Sequence, residues 1–454
     1  MSREYPNDGA ELARRLNRGL RGRYRRIAFC NELPFGRVLK MRRFELANGL
    51  RIVTLLDRSA PVVSYQTWFR VGSRHEEPGK TGLAHLFEHL MFGGTKKFPP
   101  GELDRRLEEV GAETNAATWV DWTYYYANIP RAALPLTVEL EADRMAHLVL
   151  RESEVASEKE VVANERRLRV EDDLEGLANE ALYATAFRQH PYGWPTIGWM
   201  EDIHRFSVKD CQRFYRSFYS PNNTTLVVAG DFDEEELLGL IQEHYGSQRP
   251  FEVRRRAYAS EPTQRAQRRV TLERPSAAAK VALGYRSMPF GDESWEALTV
   301  LNEILLGGRS SRIYQQLVHD LELCTDVHGS VAPFKDGGLY EIWLSGRPGV
   351  STKALVDAFD DLIERARLEQ PTETEVEKAK SRLELGFLHG LETAGGKADQ
   401  IGFYESLLGQ PERIFDRLDA YRRVRPKDSA QAAVRYLDPR RRSVVQVEGF
   451  TGRA

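Results

Sequence analysis

From Arg43 onward apolar and polar positions take on the periods of a folded α/β chain. Alternation around Phe44 to Leu56 and again from Val62 to Val71 predicts strands, followed by a turn at Pro78-Gly79. A helical period then predicts helices at about 82–91, 101–111, 131–149 and 152–185. Thr224 to Ala229 reads as a buried strand closed by Gly230-Asp231. Upstream, Leu12, Leu16 and Leu20 stand at helical spacing among Arg14, Arg15, Arg18, Arg21, Arg23, Arg25 and Arg26. Residues 1–40 are therefore expected to form a basic, amphipathic, solvated arm. Between Ser247 and Arg269 the chain is polar and arginine-rich with Pro250 and Pro262, which suggests a linker.

The second half replays the first. HLFEHLMFGG at His85 to Gly94 finds a counterpart in TVLNEILLGG at Thr299 to Gly308, each preceded by a strand and a turn. YSPNNTTLVVAGDF from Tyr219 is echoed by YLDPRRRSVVQVEGF from Tyr436. Two related α/β domains follow, with expected bounds 41–248 and 268–454 and a linker at 249–267. In this register His85 falls opposite Thr299, Glu88 opposite Asn302 and His89 opposite Glu303, so any metal belongs to the first half.

At 454 residues the length agrees with two or three domains of roughly 150 residues each. No apolar run approaches the roughly 18 residues of a membrane span. With 65 basic against 67 acidic residues, no global field favours nucleic acid or an anionic membrane. Cys30, Cys211 and Cys324 are dispersed and odd in number, which argues against a disulfide framework and against a cysteine metal site. A reducing compartment, the bacterial cytoplasm, is the expected location. A transit peptide is disfavoured by Glu4, Asp8 and Glu11, and there is no apolar secretory segment.

Chemistry concentrates at His85, Glu88 and His89. Residues four apart share a helix face, so two imidazoles can converge on one ion, and Glu88 borders that face where it can hold a water. Leu83, Ala84, Leu86, Phe87, Leu90 and Met91 make the rest of the turn apolar, and burying three ionisable groups there is costly without a compensating dication. The competing reading is a pair of hydrogen-bonded core histidines. A catalytic zinc site needs a third protein ligand. SEVASEKEVVANERRLRVEDD offers Glu158 and Glu165, seven residues apart on one helix face, and spacing alone does not choose between them.

These residues resemble the pitrilysin or insulinase-like zinc peptidases, which include the mitochondrial processing peptidases and their bacterial relatives. The resemblance runs from Arg43 to Phe450 and rests on GLAHLFEHLMFGGT, NAATWVDWTYYY, VVANERR, HPYGWPTIGW and YSPNNTTLVVAGDF. It implies two homologous α/β domains, each a mixed, largely antiparallel sheet covered by helices, together forming one half of a clamshell. It also implies one zinc ion per chain held by His85, His89 and Glu165, Glu88 as general base on the bound water, and Glu158 as a supporting carboxylate. Asn115, Ala116, Ala117 and Thr118 alternate in the manner of an edge strand, and the resemblance implies that a peptide substrate adds to it. Tyr124, Tyr125 and Tyr126 read as packing residues, and His147, His190 and His204 as structural. One departure stands out: where the family carries an arginine and, seven residues on, a tyrosine after an SSR motif, this chain has Val318 and Thr325. The implied enzyme is a heterodimer whose homologous partner, lacking the metal, supplies that pair; a homodimer is less expected. The alternative is a non-catalytic scaffold subunit of the same family.

Overall fold

The computed structural model describes residues 8–253, 255, 257–276 and 278–450. One sheet contains β1 (Ile27–Phe35), β2 (Leu39–Leu46), β3 (Arg51–Leu56), β4 (Val62–Phe69), β5 (Glu113–Thr118), β6 (Thr123–Pro130) and β7 (Thr224–Gly230), in the order β1-β2-β3-β7-β4-β6-β5. A second contains β8 (Arg268–Pro275), β9 (Lys280–Arg286), β10 (Cys324–Val331), β11 (Leu339–Gly346) and β12 (Arg442–Phe450), in the order β10-β11-β9-β12-β8. The repeat is thus complete at the level of pairing. β3-β7-β4-β6-β5 and β8-β12-β9-β11-β10 run strand for strand, each with one parallel pair, β3 with β7 and β8 with β12, among antiparallel neighbours. β7 is buried along its whole length, as its unbroken run of small and apolar residues requires of a central strand covered on both faces.

Six helices of the first half matter below: α1 (Gly9–Leu16), α2 (Leu83–Leu90), α3 (Glu102–Glu109), α4 (Leu134–His147), α5 (Glu152–Arg166) and α6 (Leu174–Ala186). Two expected elements are interrupted. The alternation from Phe44 to Leu56 is a hairpin, β2 and β3, turned at Gly49 (φ +83°). The helical pattern over 152–185 breaks after a π-helical turn at Arg167–Glu171, where Asp173 accepts a hydrogen bond from Gly176 N and starts α6 afresh.

The basic arm is corrected too. Residues 1–7 lie outside the described residues, but α1 buries Leu12 and Ala13 in the first core, and β1 pairs along β2. The leucine stripe found a core to cover. Asn17 joins the two elements by donating to Ile27 O and accepting from Ile27 N. Contiguous domain bounds are corrected as well. Among the described residues, one compact unit comprises 8–163, 196–253, 255 and 389–415; the other comprises 164–195, 257–276, 278–388 and 416–450. Each unit takes a helix from the opposite half of the sequence: α6 packs on β8, β9 and β12, and the helix Ala394–Leu408 packs on β4 and β7. The physical reason is that each sheet has a second face to cover. On the first sheet, Glu405 pairs with Arg43 (3.0 Å) and Arg51 (3.3 Å), Lys397 pairs with Asp57 (3.0 Å), and Gln66 donates to Asp399 (2.8 Å). Gly402 lets the helix approach Trp68, since a Cβ there would lie 2.1 Å from the indole.

Residues 249–267 contain no helix or strand among those described, and β8 begins at Arg268. No helix among the described residues is long and apolar enough to cross a membrane.

Candidate metal centre

α2 is short, and its position is fixed at its start and at its middle. Gly82 precedes it at φ +96°, a conformation that favours glycine, and a Cβ there would come within 2.5 Å of Ile197 O. The buried Glu76 carboxylate accepts from Gly82 N (2.8 Å) and Ala84 N (2.7 Å), satisfying donors that a helix start leaves open. Thr81, just before, is held by Asp202 through its backbone N (3.1 Å) and hydroxyl (2.7 Å). Farther along, Tyr125 Oη donates to Phe87 O at 3.0 Å, tying the middle of the helix to β6. Leu83, Ala84, Leu86, Phe87 and Leu90 are in the first core, which leaves the His85, Glu88 and His89 side to carry chemistry.

α5 supplies the other wall. Val155, Val162 and Ala163 bury it in the same core, and Glu165 stands two residues on, in the last turn of the same continuous helix. Ligand atoms of His85, His89 and Glu165 all lie within 4.8 Å of one another. Bonds of about 2.0–2.2 Å to zinc allow donor separations of at most about 4.4 Å, so small side-chain adjustments bring all three onto one ion. Two imidazoles and a carboxylate are the donor set of a catalytic zinc site, with a coordination position left over. His85 is buried; His89 and Glu165 are partly exposed, as an accessible centre requires.

Glu158 Oε2 lies 3.5 Å from His89 Nδ1, close enough for a carboxylate to orient that imidazole. Glu165 is also within 3.0 Å of the exposed guanidinium of Arg169, one turn on. Glu88 is half-buried. Its charge reaches the phenols of Tyr124, Tyr125 and Tyr219, which burial chiefly, and Glu88 in lesser part, push above the usual tyrosine range.

β5 is the free edge of its sheet, and Asn115–Thr118 lie on it. Ala116 N donates to Asn115 Oδ1 at 2.8 Å. In the second half, Asn302 is buried where the first half has Glu88, and Glu303, opposite His89, pairs with Arg382 at 2.9 Å. Val318 is buried, and Thr325 Oγ1 donates to Ser345 O at 3.2 Å.

Residues 51–198 match the family model of insulinase, peptidase family M16, and residues 205–383 match that of the peptidase M16 inactive domain. Zinc protease PqqE of Helicobacter pylori is 31% identical over 369 residues, 80% of this chain and 82% of that protein. The chain belongs to peptidase family M16. A further M16 relative, an uncharacterized zinc protease of Streptomyces coelicolor, is 30% identical over 89% of this chain and 88% of its own. The crystal structure of a protease from Helicobacter pylori superposes with a TM-score of 0.85 at 28% identity, covering 92% of this chain and all (100%) of that one. A peptidase M16 inactive domain from Pseudomonas fluorescens shares the fold, with a TM-score of 0.82 at 17% identity over 91% of this chain and 99% of that one.

Sequence reasoning missed Glu76, Thr81 and Asp202, the residues that position α2 in this M16 chain. Their roles arise where loops fold back, and no periodicity announces that. The one available signal was Gly82 directly before an apolar helix.

Proposed function

We propose that this chain is the metal-bearing subunit of a zinc-dependent endopeptidase that hydrolyses peptides or unfolded polypeptide segments. The convergence of His85, His89 and Glu165 donor atoms within 4.8 Å carries the reading, and the zinc proteases among its relatives support it. Bound there, zinc would supply Lewis acidity, making a water easier to deprotonate near neutral pH and polarising a carbonyl. His85, His89 and Glu165 hold the ion, and Glu158 orients His89. Glu88 takes the proton of the attacking water and returns it to the leaving amine. The edge of β5 at Asn115–Thr118 receives the substrate as an added strand, so affinity comes mainly from backbone hydrogen bonds.

A homologous subunit completes the enzyme in this reading. Val318 and Thr325 offer neither a guanidinium nor a phenol for holding the peptide, so those groups come from a partner. In a peptide cleavage assay with that partner, Glu88→Gln is expected to keep its zinc and lose at least a hundredfold in kcat. Undiminished turnover by Glu88→Gln would remove the general-base assignment. Robust cleavage by the wild-type chain alone would remove the partner requirement.

A further inference from the structure

The first compact unit also gathers guanidinium groups that its carboxylates do not neutralise. Arg51 opens β3, and Arg70 directly follows β4. Arg51 and Trp68 both stand opposite Thr225 of β7, so all three side chains share one face of the sheet, and Arg70, two residues past Trp68, returns to it. Arg255 reaches the same place from the segment after Pro250. Its Nη2 donates to Asn223 Oδ1 (3.1 Å), while Asn223 O accepts from Arg70 N (3.1 Å) and Asn223 Nδ2 donates to Arg70 O (3.4 Å).

Negative charge is scarce there. Glu405 is shared between Arg43 and Arg51, and Glu45, opposite Arg51 in the β2/β3 register, is the other carboxylate that Arg51 feels. Among the described residues Arg70 and Arg255 form no ion pair with a carboxylate, and Glu405, already shared, acts on Arg70 only at longer range. Buried polar atoms also go unmatched: Arg51 Nε and Nη2, Arg70 Nε and Thr225 Oγ1 lack any hydrogen-bond partner among the described residues. Burial, then the charges of Arg51 and Arg255, hold Arg70 down to about 10, still protonated at neutral pH. Such a cluster is repulsive by itself, and planar guanidinium forks are suited to the paired oxygens of an oxyanion.

We propose that Arg51, Arg70 and Arg255, with the Thr225 hydroxyl, form a binding site for an oxyanion of the phosphate or carboxylate class. The site stands on residues separate from the metal centre and does not depend on its function. Calorimetric titration and thermal melts of the full chain test it. One arm uses inorganic phosphate; the other uses a short peptide as the free acid and as its amide; both are matched in ionic strength with chloride. Saturable binding is expected in one arm, naming the source of the oxyanion, with Arg70→Gln and Arg255→Gln each weakening it at least tenfold and His85→Ala leaving it intact. Without ligand, Arg70→Gln should melt no lower than wild type, because it removes repulsion and no ion pair. The proposal is overturned if neither ligand binds beyond the chloride control, if both arginine variants bind like wild type, or if unliganded Arg70→Gln melts markedly lower. Arg255→Gln lies on an exposed segment and keeps the binding arm decisive should Arg70→Gln fail to fold.

Discussion

Gly82 shows how much of the candidate metal centre depends on one residue without a side chain. Its φ of +96° and the 2.5 Å approach of Ile197 O to the position of a Cβ combine backbone strain with a steric clash against main chain, which cannot move aside cheaply. Gly82→Ala is expected to cost about 2 kcal/mol or more, read as a lower urea midpoint at unchanged slope, and to weaken zinc binding because α2 is displaced. An unchanged midpoint would mean that α2 is not held as described. At this scale the pairing of His85 and His89 was legible from sequence, since two side chains four apart on one helix face are a local property. Choosing Glu165 over Glu158 needed the family resemblance, because both share one face of α5. Glu76 was not legible at all: it caps the helix across a turn that only the fold closes.

Among elements, the turn that leads into α2 is tied to the helix Val208–Phe218 through Lys80 and Asp210, which form an ion pair. Asp210 also accepts from Ser207 N (3.1 Å) and Ser207 Oγ (2.6 Å), completing the capping box of that helix. Partial burial pushes its pKa up, but Lys80 and Ser207 outweigh this and bring the carboxyl down from 3.8 to about 2. A depressed carboxyl contributes stability that is full above its unfolded pKa and is lost as pH falls from about 4 through about 2. Asp210→Asn should therefore cost about 1 kcal/mol at pH 7, the figure being reduced for solvent screening, and almost nothing at pH 2. Equal destabilisation at both pH values in denaturant titrations would show that shape, not charge, is what Asp210 contributes. Element types were read well where periodicity was long, as in β4, α4 and β7. Boundaries failed where a single turn intervened: Gly49 folds one apparent strand into two, and Asp173 restarts one apparent helix.

For the molecule as a whole, the internal repeat was visible in sequence because the glycine pairs and the late strands keep their spacing. The exchange of α6 and the helix Ala394–Leu408 was not, because covering a sheet face with a distant helix leaves no local mark in either segment. One consequence is specific. A fragment ending at residue 248 keeps all seven strands of the first sheet but loses the helix that brings Lys397, Asp399, Gly402 and Glu405 onto β4 and β7. It is expected not to unfold cooperatively and to bind hydrophobic dyes, whereas joining 389–415 to it through a flexible link should restore a sharp transition. Cooperative unfolding of the shorter fragment would show that the first half is complete by itself.

The central claim is that His85, His89 and Glu165 hold a catalytic zinc ion, and metal analysis of the purified full chain tests it most directly. The expected result is about one zinc per chain in the wild type and in Glu88→Gln, with loss of most of the metal in His85→Ala, His89→Ala and Glu165→Ala. Zinc-free wild type after reconstitution, or a Glu165→Ala variant that keeps its full complement, would contradict it.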